Sequence, residues 1–522
     1  MMSYIIGAAV YNHDLGYRRV VSSPLKLNIM KKLDFLFLVV LLFGELGLSA
    51  GEPIVKQVPI SSTNVNLRAS SAVVLATMPF DAPTAGRVVV RMDGYCVSDS
   101  ADRIIIAASN VPDWGTNDGN VSFFAPHTDF KRRSFSHTRV YDVVQGLDTF
   151  YAVAQNYVDE NGSGIASVYG HLTLEFFPAA GPAMVIDGNI NYSGDVRSTQ
   201  KVLQRVFSPS TPPGKAVVHL DGKVISDAGD RIVLSAANVP SWLVGDGSVA
   251  VRAYNSYQKN SPYSHSRLYT ANSSLDTLYA VCRNVVDASG SGTASVYGNL
   301  SVEYFPNGGL AQVEAKGIEL NDVDAEGAPV AFDSITITTT VPGYALAQLD
   351  GYCTSQLGDE MLFAVNNIPD WGGNEGHVTV SAAYNTNKFS TISHSRLFTI
   401  APGTHTYYSV VENFGNTAGD GLVDMAVNFS VKFFADPSVG IEDMTTASSF
   451  RVFPNPTYGT LTIYRDSRQD SEKMFYLRDL SGRLLQQIEA GDAQQTTINI
   501  SALPAGLYLL QCGAHTEKII RE

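Results

Sequence analysis

The feature that most constrains the fold is a long internal repeat. Segments that begin at Gly86, Gly214 and Gly343 align almost without gaps: "GRVVVRMDGYCVSDSADRIIIAASNVPDW", "GKAVVHLDGKVISDAGDRIVLSAANVPSW" and "GYALAQLDGYCTSQLGDEMLFAVNNIPDW". They lie 128 and 129 residues apart. A unit of this length can bury a hydrophobic core of its own, which a solenoid repeat of roughly 20–50 residues cannot. The repeat therefore predicts three tandem domains, pictured as beads on a string.

The limits of these domains follow from the repeat and from changes in composition. We place them at 51–180, 181–308 and 309–437. The joints at 178–183, "PAAGPA", and 306–310, "PNGGL", are rich in Pro, Gly and small residues, as expected of short connections between domains.

Within each repeat the apolar residues favour strands. Short runs such as "DRIIIAAS" and "DTFYAVAQN" are rich in Val, Ile, Phe and Tyr, and turn sequences such as "SDSAD" and "DENGSG" separate them. Seven or eight strands per repeat predict an all-β chain of three antiparallel β-sandwiches, jelly-roll-like in character. In general look, the repeat is similar to jelly-roll recognition domains of the C1q/TNF type and to bacterial carbohydrate-binding modules. That resemblance implies an architecture and not a function.

The N-terminus predicts export. A basic segment at 30–32 precedes the unbroken apolar run 35–43, and small residues follow, which together are typical of a secretory signal peptide at 30–50. The apolar run is too short to span a bilayer, so we expect no transmembrane segment. Residues 1–29 carry no pattern, and we interpret them as a mis-assigned N-terminal extension. The mature chain is expected to begin near Gly51.

Charge and cysteine content exclude several functions. The chain has 36 Lys and Arg against 50 Asp and Glu, a formal net charge of −14, without a basic tract. Nucleic acid, whose phosphates require clustered cations, is therefore not an expected partner. No C-x-x-C pair occurs, so we expect no zinc site and interpret the cysteines as small buried thiols. They are Cys96, Cys282, Cys353 and Cys512.

The composition and motifs of the C-terminal sequence differ from those of the repeats. A polar linker, 438–449, leads to "FRVFPNPTYGTLTIY", which is followed by "LRDLSGRLL" and "ISALPAGLYLL". These ordered motifs resemble the C-terminal sorting domain of the type IX secretion system, type A (the Por secretion family), over residues 450–522. The resemblance implies a small seven-stranded Ig-like β-sandwich that is read by the type IX secretion machinery. It also implies export from a Gram-negative bacterium to the outer-membrane surface or the medium.

The resemblance also carries over individual positions. Two prolines fix the backbone where the linker enters the first strand, and glycines suit the turns between short strands. The implied signature positions are Pro454, Asn455, Pro456, Gly482, Gly506, Tyr508 and Lys518.

A Ser-His-[Ser/Thr]-Arg motif recurs in each repeat and resembles a catalytic cluster. On a strand, however, alternate residues share a face, so neighbouring Ser and His side chains diverge and cannot act as a pair. The His, Arg and following aromatic residue share one face, and the hydroxyls share the other. The stripe could bind a ligand such as a sugar acid, or it could form a structural network between strands. Its members are His137, Arg139, Tyr141, His265, Arg267, Tyr269, His394, Arg396 and Phe398.

A second motif, Asn-[Val/Ile]-Pro-x-Trp, places the chain's tryptophans, Trp114, Trp242 and Trp371, before a polar loop. Each indole either stacks on a sugar ring or plugs the core under the loop. The loops "DWGTNDGN" and "DWGGNEGH" offer oxygens that suit calcium. The middle copy, "SWLVGDGS", loses most of them. We therefore expect no cofactor, and calcium is the less favoured alternative.

A third motif pairs carboxylates at Asp99 and Asp102, and again at Asp227 and Asp230. Paired carboxylates suit a glycosidase, but here they lie in a tight turn, where Asp usually accepts backbone N–H bonds. We find no nucleophile elbow, zinc-protease or P-loop fingerprint. The chain is therefore predicted to be a non-enzymatic surface protein, preferably an adhesin or carbohydrate-binding protein with three weak sites. The alternatives are a structural spacer without a ligand and, less favoured, a polysaccharide hydrolase.

Overall fold

The computed structural model describes most of the chain from residue 51 onward. The described residues are 51–68, 71–99, 102–115, 119–124, 132–159, 162–197, 200–207, 213–227, 230–241, 247–252, 259–271, 277–286, 290–356, 359–371, 376–381, 389–414, 419–436, 450–465, 474–479, 483–489, 495–512 and 515–522. The predicted extension, signal peptide and linker 438–449 lie outside them. In the described part of the chain, no helix is long and apolar enough to cross a membrane.

The first repeat is a two-sheet sandwich of eight antiparallel strands. The strands are β1 (Ile54–Asn66), β2 (Val73–Ala82), β3 (Gly86–Ser98), β4 (Asp102–Ser109), β5 (Val121–Phe124), β6 (Arg132–Val143), β7 (Gly146–Asp159) and β8 (Ile165–Pro178). The inner sheet has the order β1-β8-β3-β6 and the outer sheet the order β2-β7-β4-β5. Each sheet takes strands from both halves of the repeat, as in a jelly roll.

The second and third repeats have the same topology. The second consists of β9 (Met184–Asp195), β10 (Lys201–Phe207), β11 (Gly214–Ser226), β12 (Arg231–Ala237), β13 (Val249–Arg252), β14 (Asn260–Ala271), β15 (Thr277–Val286) and β16 (Thr293–Pro306). The third consists of β17 (Gln312–Asp324), β18 (Val330–Thr339), β19 (Gly343–Ser355), β20 (Glu360–Asn366), β21 (Val378–Ser381), β22 (Phe389–Ile400), β23 (Gly403–Asn413) and β24 (Leu422–Ala435). Their inner sheets are β9-β16-β11-β14 and β17-β24-β19-β22, and their outer sheets are β10-β15-β12-β13 and β18-β23-β20-β21. The predicted all-β class is confirmed.

Each repeat has a core between its two sheets. In the first repeat, Val88, Val90 and Met92 of β3 point inward and meet Ile104 and Ile106 of β4. Burial of such β-branched and aliphatic side chains is the main force that holds the two sheets together. The cysteines are buried thiols, as predicted: Cys96, Cys282, Cys353 and Cys512.

The repeats also share a second apolar core. Residues at equivalent positions of the three inner sheets meet in one buried cluster, which we call the apolar layer. It includes Val55, Val89, Phe177, Val185, Val217, Phe305, Val313, Leu346 and Phe434. Each inner sheet therefore buries one face in its own sandwich and the other against its neighbours. The repeats form one body with an approximate threefold arrangement inside a single chain.

The C-terminal domain is a separate sandwich of seven strands, the number that the resemblance implies. The strands are β25 (Phe450–Phe453), β26 (Thr460–Arg465), β27 (Met474–Asp479), β28 (Leu484–Glu489), β29 (Gln495–Asn499), β30 (Gly506–Cys512) and β31 (His515–Arg521). They form the sheets β25-β26-β29 and β28-β27-β30-β31 around a core that includes Phe450, Leu461, Phe475 and Leu510.

Candidate functional site

The three motif histidines face the interior of their own sandwiches. His137, His265 and His394 are each only 1% exposed. The Nδ1 atom of His137 accepts a hydrogen bond of 3.0 Å from the Ala108 N–H of the outer sheet. His265 accepts the equivalent bond of 3.3 Å from Ala236. With the rings enclosed in this way, no imidazole is available to a ligand at the surface.

The aromatic residues of the stripe point the same way as the histidines, as the strand alternation predicts. The Tyr141 hydroxyl donates to the Ala108 carbonyl at 3.3 Å, and Tyr269 donates to Ala236 at 2.8 Å. In the third repeat, Phe398 instead packs against Tyr407, with ring centroids 5.1 Å apart. The stripe thus joins the two sheets of each repeat.

The motif arginines lie over the adjacent rings and are only partly buried. The guanidinium carbons of Arg139, Arg267 and Arg396 are 5.8, 5.7 and 5.2 Å from the centroids of Tyr141, Tyr269 and Phe398, respectively. Arg396 also donates to the Asn366 side-chain oxygen at 3.1 Å. Of the two open interpretations, the geometry favours the structural network.

The hydroxyls of the motif face the neighbouring repeat, where each set meets a buried aspartate. The aspartates occupy equivalent positions at the centre of the inner sheets. The pairs are Asp93 with Ser395, Asp221 with Ser136 and Thr138, and Asp350 with Ser264. These contacts run from the first repeat to the third, from the second to the first, and from the third to the second. They close the ring of repeats, a role that the sequence analysis did not assign.

One of these contacts covers the free edge of β22. An edge strand exposes unpaired backbone groups, and an uncovered edge invites pairing with other chains. Three alternate N–H groups of β22 donate to side chains of the first repeat instead. The bonds run from Ser393 to Ser134 Oγ (3.2 Å), from Ser395 to Asp93 Oδ2 (2.7 Å) and from Leu397 to Gln57 Oε1 (2.9 Å).

Charged side chains fill the layer next to the apolar layer. Glu175, Glu303 and Lys432 pair with Val89, Val217 and Leu346 of the central strands, so the three charged positions are equivalent. The Lys432 ammonium donates to both oxygens of Glu175 at 2.7 and 2.6 Å and to Glu303 at 2.6 Å. Burial, and then the neighbouring Glu303 carboxylate, raise the pKa of Glu175, while Lys432 opposes the rise. We call these residues the charged layer.

A second buried ion pair joins the first and third repeats. The Arg91 Nη1 and Asp350 Oδ2 atoms are 3.5 Å apart, and both side chains are at most 2% exposed. Burial acts to raise the pKa of Asp350, but Arg91 and His219 hold it below its usual value. Asp350 therefore stays ionised at neutral pH. By contrast, burial raises the pKa of Asp221 to about 6 and that of Asp93 to about 7.

Two histidines and an aspartate meet where the first repeat packs on the third. Asp93 and His171 are cross-strand partners in the inner sheet of the first repeat, and His394 comes from β22. One possible ligand atom from each residue lies within 4.8 Å of the others, and all three residues are buried. No sequence motif marks this cluster, because its members are far apart in the chain.

The Asn-[Val/Ile]-Pro-x-Trp segment forms the same turn in each of the three repeats. In each, the N–H two residues after the Val or Ile bonds back to its carbonyl: Asp113 to Val111 at 2.7 Å, Ser241 to Val239 at 2.7 Å and Asp370 to Ile368 at 2.8 Å. The tip residues Val111, Val239 and Ile368 are 49%, 42% and 52% exposed. This places an apolar side chain in solvent at the same point of every repeat.

The two described tryptophans behind these turns, Trp114 and Trp371, contact the outer sheets of their repeats. Trp114 is half-buried, donates its indole N–H to Gln155 and meets the Tyr157 ring edge-on at 6.3 Å. Trp371 is also half-buried, packs on Leu362 and Val410, and lies edge-on to His377 at 5.1 Å. Trp242 lies outside the described residues, as do loop positions 116–118 and 372–375, on which the calcium hypothesis depends.

One carboxylate of each predicted pair is held inside its turn. Asp102 and Asp230, and Asp359 at the equivalent position of the third repeat, each accept bonds from an asparagine amide and from a glycine N–H. The amide bonds are 2.7 Å from Asn156, 2.6 Å from Asn284 and 2.8 Å from Asn413. The glycine bonds come from Gly164, Gly292 and Gly421. This geometry agrees with the turn interpretation of the motif.

The described signature positions of the C-terminal domain lie in its first segment and on its last two strands. Exposed Asn455, between Pro454 and Pro456, accepts a bond of 2.8 Å from the Ile520 N–H and donates to the Lys518 carbonyl. The first segment is thereby tied to the last strand. Tyr508 is buried, and its hydroxyl donates to the Pro504 carbonyl at 2.6 Å. Gly506 begins β30, and Gly482 lies outside the described residues.

Comparison with known proteins identifies the C-terminal domain. The family described as "Secretion system C-terminal sorting domain" matches residues 451–522. The predicted resemblance is thus confirmed: the chain carries a type IX sorting domain, interacts with that secretion machinery, and is exported to the outer-membrane surface or the extracellular space. A search of curated proteins finds no match to the chain.

Solved structures provide distant likenesses. The STIV MCP is 11% identical, with 51% of this chain and 99% of that chain covered and a TM-score of 0.18. A structure described as "The Triple Jelly Roll Fold and Turret Assembly in an Archaeal Virus" is 8% identical, with coverage of 74% and 91% and a TM-score of 0.19. PNGF-II is 11% identical, with coverage of 60% and 79% and a TM-score of 0.20.

Proposed function

We propose that the three-repeat body is a non-enzymatic adhesin of the cell surface that binds carbohydrate polymers through its three Asn-[Val/Ile]-Pro-x-Trp turns. The observation that supports this most is the exposure of Val111, Val239 and Ile368 at the tips of turns with one shared hydrogen bond. Exposed apolar side chains are common singly. Their recurrence at one position of every repeat, beside a tryptophan, favours a contact surface.

The side chains around the turns suit a sugar. In the first repeat, Tyr157 is 56% exposed beside Trp114, and the Arg103 guanidinium lies 4.8 Å from the Tyr157 centroid. Aromatic rings accept the C–H face of a sugar, while a few polar groups orient its hydroxyls. In the third repeat, Phe414, also 56% exposed, directly follows β23 of the outer sheet, and its N–H donates to the Glu360 carbonyl at 2.9 Å.

The three patches are related but not identical. Gln155, Arg283 and Glu412 occupy equivalent positions on β7, β15 and β23. One patch therefore offers a neutral amide, one a cation and one an anion. A net charge of −14 disfavours strongly anionic glycans, so we expect uncharged polymers to bind best.

The rigid arrangement of the repeats adds to this proposal. Because the apolar and charged layers fix the repeats against one another, the three turns are held without flexible linkers. Sites that are already positioned lose less entropy when they bind together, so weak sites gain avidity on a repeated surface.

Residues 51–522 on a glycan array and on insoluble polysaccharides provide the test. The triple variant Val111→Asp, Val239→Asp, Ile368→Asp is expected to lose roughly tenfold or more of the apparent affinity. The matched control, Val144→Asp with Leu147→Asp, changes residues that are 75% and 73% exposed at another turn, and is expected to bind like the parent. Absence of binding by the parent chain to every glycan would refute the proposal.

A structural spacer without a ligand is the second candidate. The observation that favours it is the burial of His137, His265 and His394, which removes one of the two predicted ligand surfaces. The spacer predicts no glycan binding by the parent chain or by the variants. The hydrolase alternative is weaker, because asparagine amides of neighbouring strands donate to Asp102, Asp230 and Asp359.

A further inference from the structure

The buried cluster of Asp93, His171 and His394 is not explained by packing alone. These residues are 0%, 6% and 1% exposed. Within the described residues, Nδ1 of His171 and both ring nitrogens of His394 lack a hydrogen bond of normal geometry, and the one backbone group that acts on the His394 ring is that of Gly376. Buried polar atoms in native proteins are nearly always satisfied, so a partner of another kind is expected at this point.

We propose that Asp93, His171 and His394 bind one divalent transition-metal ion, for which Zn²⁺ has the best-matched chemistry. Two imidazole nitrogens and one carboxylate oxygen suit Zn²⁺ and disfavour Ca²⁺, which prefers oxygen ligands. Ligand atoms around one tetrahedral Zn²⁺ are about 3.4 Å apart. Side-chain rotations must therefore bring the atoms, now within 4.8 Å, closer together. Ser395, which donates to both Asp93 oxygens, orients the carboxylate from behind.

The other two interfaces lack this donor set. The residue opposite the central aspartate is His171 in the first repeat, but Asn299 in the second and Asn428 in the third. At one of these interfaces the Asn428 Nδ2 and His265 Nε2 atoms are 3.4 Å apart, so the amide takes the place of a metal bond. The second histidine is thus present at a single joint of the ring.

That joint has no covalent connection of its own. Residues 179–183 link the first repeat to the second, and residues 307–311 link the second to the third. The first and third repeats are held only by contacts across their interface. A metal ion with ligands in both repeats would close the ring and would stabilise the folded body, since the unfolded chain lacks the site.

Metal uptake by residues 51–522 tests this proposal and does not depend on glycan binding. After chelator treatment, the chain is titrated with Zn²⁺ and with Co²⁺. We expect about one bound equivalent by elemental analysis, a higher melting temperature, and visible Co²⁺ bands of a nitrogen-ligated tetrahedral site. The key variant is His171→Asn, which introduces the residue already present at both other interfaces. It is expected to fold, to lose the bound equivalent and to lose the metal-dependent rise in melting temperature.

A histidine outside the cluster provides the control. His405→Asn, whose ring contacts the Ala401 carbonyl at 2.8 Å, is expected to bind metal like the parent. The proposal is overturned if the parent takes up no stoichiometric metal, or if His171→Asn binds as much as the parent. X-ray absorption of the zinc-loaded parent requires no variant: two imidazoles and a carboxylate support the site, and a shell without imidazole refutes it.

Discussion

The apolar layer and the charged layer lie side by side on the same inner sheets. Only the apolar layer has equivalent chemistry in all three repeats. In the apolar layer, equivalent positions carry equivalent chemistry, as in Val89, Val217 and Leu346. In the charged layer, two positions carry glutamate and the third carries lysine, bonded to both. One layer keeps the symmetry of the repeats, and the other breaks it.

This difference indicates that the two layers have different roles. The apolar layer holds the repeats together, and the charged layer determines which repeats can associate. Apolar contacts of this kind would suit any three copies, including copies from different chains. Three buried glutamates at this site would repel one another strongly. The charged layer therefore requires one, and only one, repeat of the kind that carries Lys432. Buried charges often specify an arrangement more than they stabilise it. We interpret the charged layer as the element that favours closure within one chain.

The largest effect is expected when the charged layer is made symmetric. Lys432→Glu places three carboxylates where Glu175 and Glu303 now share one ammonium. Removing one partner of a buried pair costs about 3–5 kcal/mol, and a third like charge adds to that. We expect the free energy of unfolding, measured by urea denaturation, to fall by about 5 kcal/mol or more.

The exposed pair of Lys316 and Asp333, 2.8 Å apart, provides the control. Lys316 is 49% exposed, so Lys316→Glu is expected to change the stability by less than about 1 kcal/mol. A similar small change for Lys432→Glu would contradict the role assigned to the charged layer.

The apolar layer is expected to give the next largest effect. Phe305 packs edge-on against Phe177 and Phe434, with centroids 6.1 and 6.3 Å apart. Phe305→Ala should therefore lower the unfolding free energy by about 3–5 kcal/mol. Leu147→Ala, at a side chain that is 73% exposed, is the matched control. Equal effects of the two changes would show that the repeats do not depend on this layer.

Much of the fold could be predicted from the sequence because it depends on local patterns. Alternation placed the Ser136 and Thr138 hydroxyls on the face opposite His137, and the structure has them there. The motifs near Asn455 and Tyr508 identified the sorting domain. In both cases the information lies within a few neighbouring residues.

The packing of the repeats was missed for a physical reason. The run "RVVVRM" around Val89 does not alternate, and strands buried on both faces read as continuous apolar runs. That signal was present, but it does not say what covers the second face. No short spacing pattern in the sequence marks the cluster of Asp93, His171 and His394, because the three residues come from three strands of two repeats. Such sites depend on tertiary contacts, which the order of residues alone does not reveal.

The pH dependence of stability separates the aspartates of the three interfaces. Burial raises the pKa of Asp221 from 3.8 to about 6, with Arg91, Thr138 and Ser136 opposing the rise and Asp350 adding to it. Between these values the folded chain keeps a proton that the unfolded chain has released, so stability from this group falls as the pH rises. At about 1.4 kcal/mol per pKa unit, the loss between pH 4 and pH 7 is about 2–3 kcal/mol.

Asp221→Asn isolates this contribution, because the amide does not titrate and all other groups are unchanged. The parent loses the stability that comes from Asp221 as the pH rises from 4 to 7, and the variant does not. Relative to pH 4, the variant's unfolding free energy at pH 7 should therefore exceed the parent's by about that amount, measured by urea denaturation at each pH. If the parent and the variant show the same pH profile, Asp221 titrates near its usual value and is not desolvated as the structure implies.

The smallest effect is expected from a single hydroxyl at the ionised aspartate. Ser264 donates to Asp350 at 2.7 Å across the interface, and Ser393 donates to the same oxygen at 2.8 Å from within the third repeat. A hydrogen bond to a charged group contributes about 1.5–3 kcal/mol, and the remaining donors, Ser393 and Arg91, limit the loss. Ser264→Ala should therefore lower the unfolding free energy by about 2 kcal/mol, whereas Ser193→Ala, at an exposed serine pair, should be neutral. Because the apolar layer is untouched, a loss as large as that of Phe305→Ala would mean that the polar contacts, and not the apolar ones, hold the repeats together.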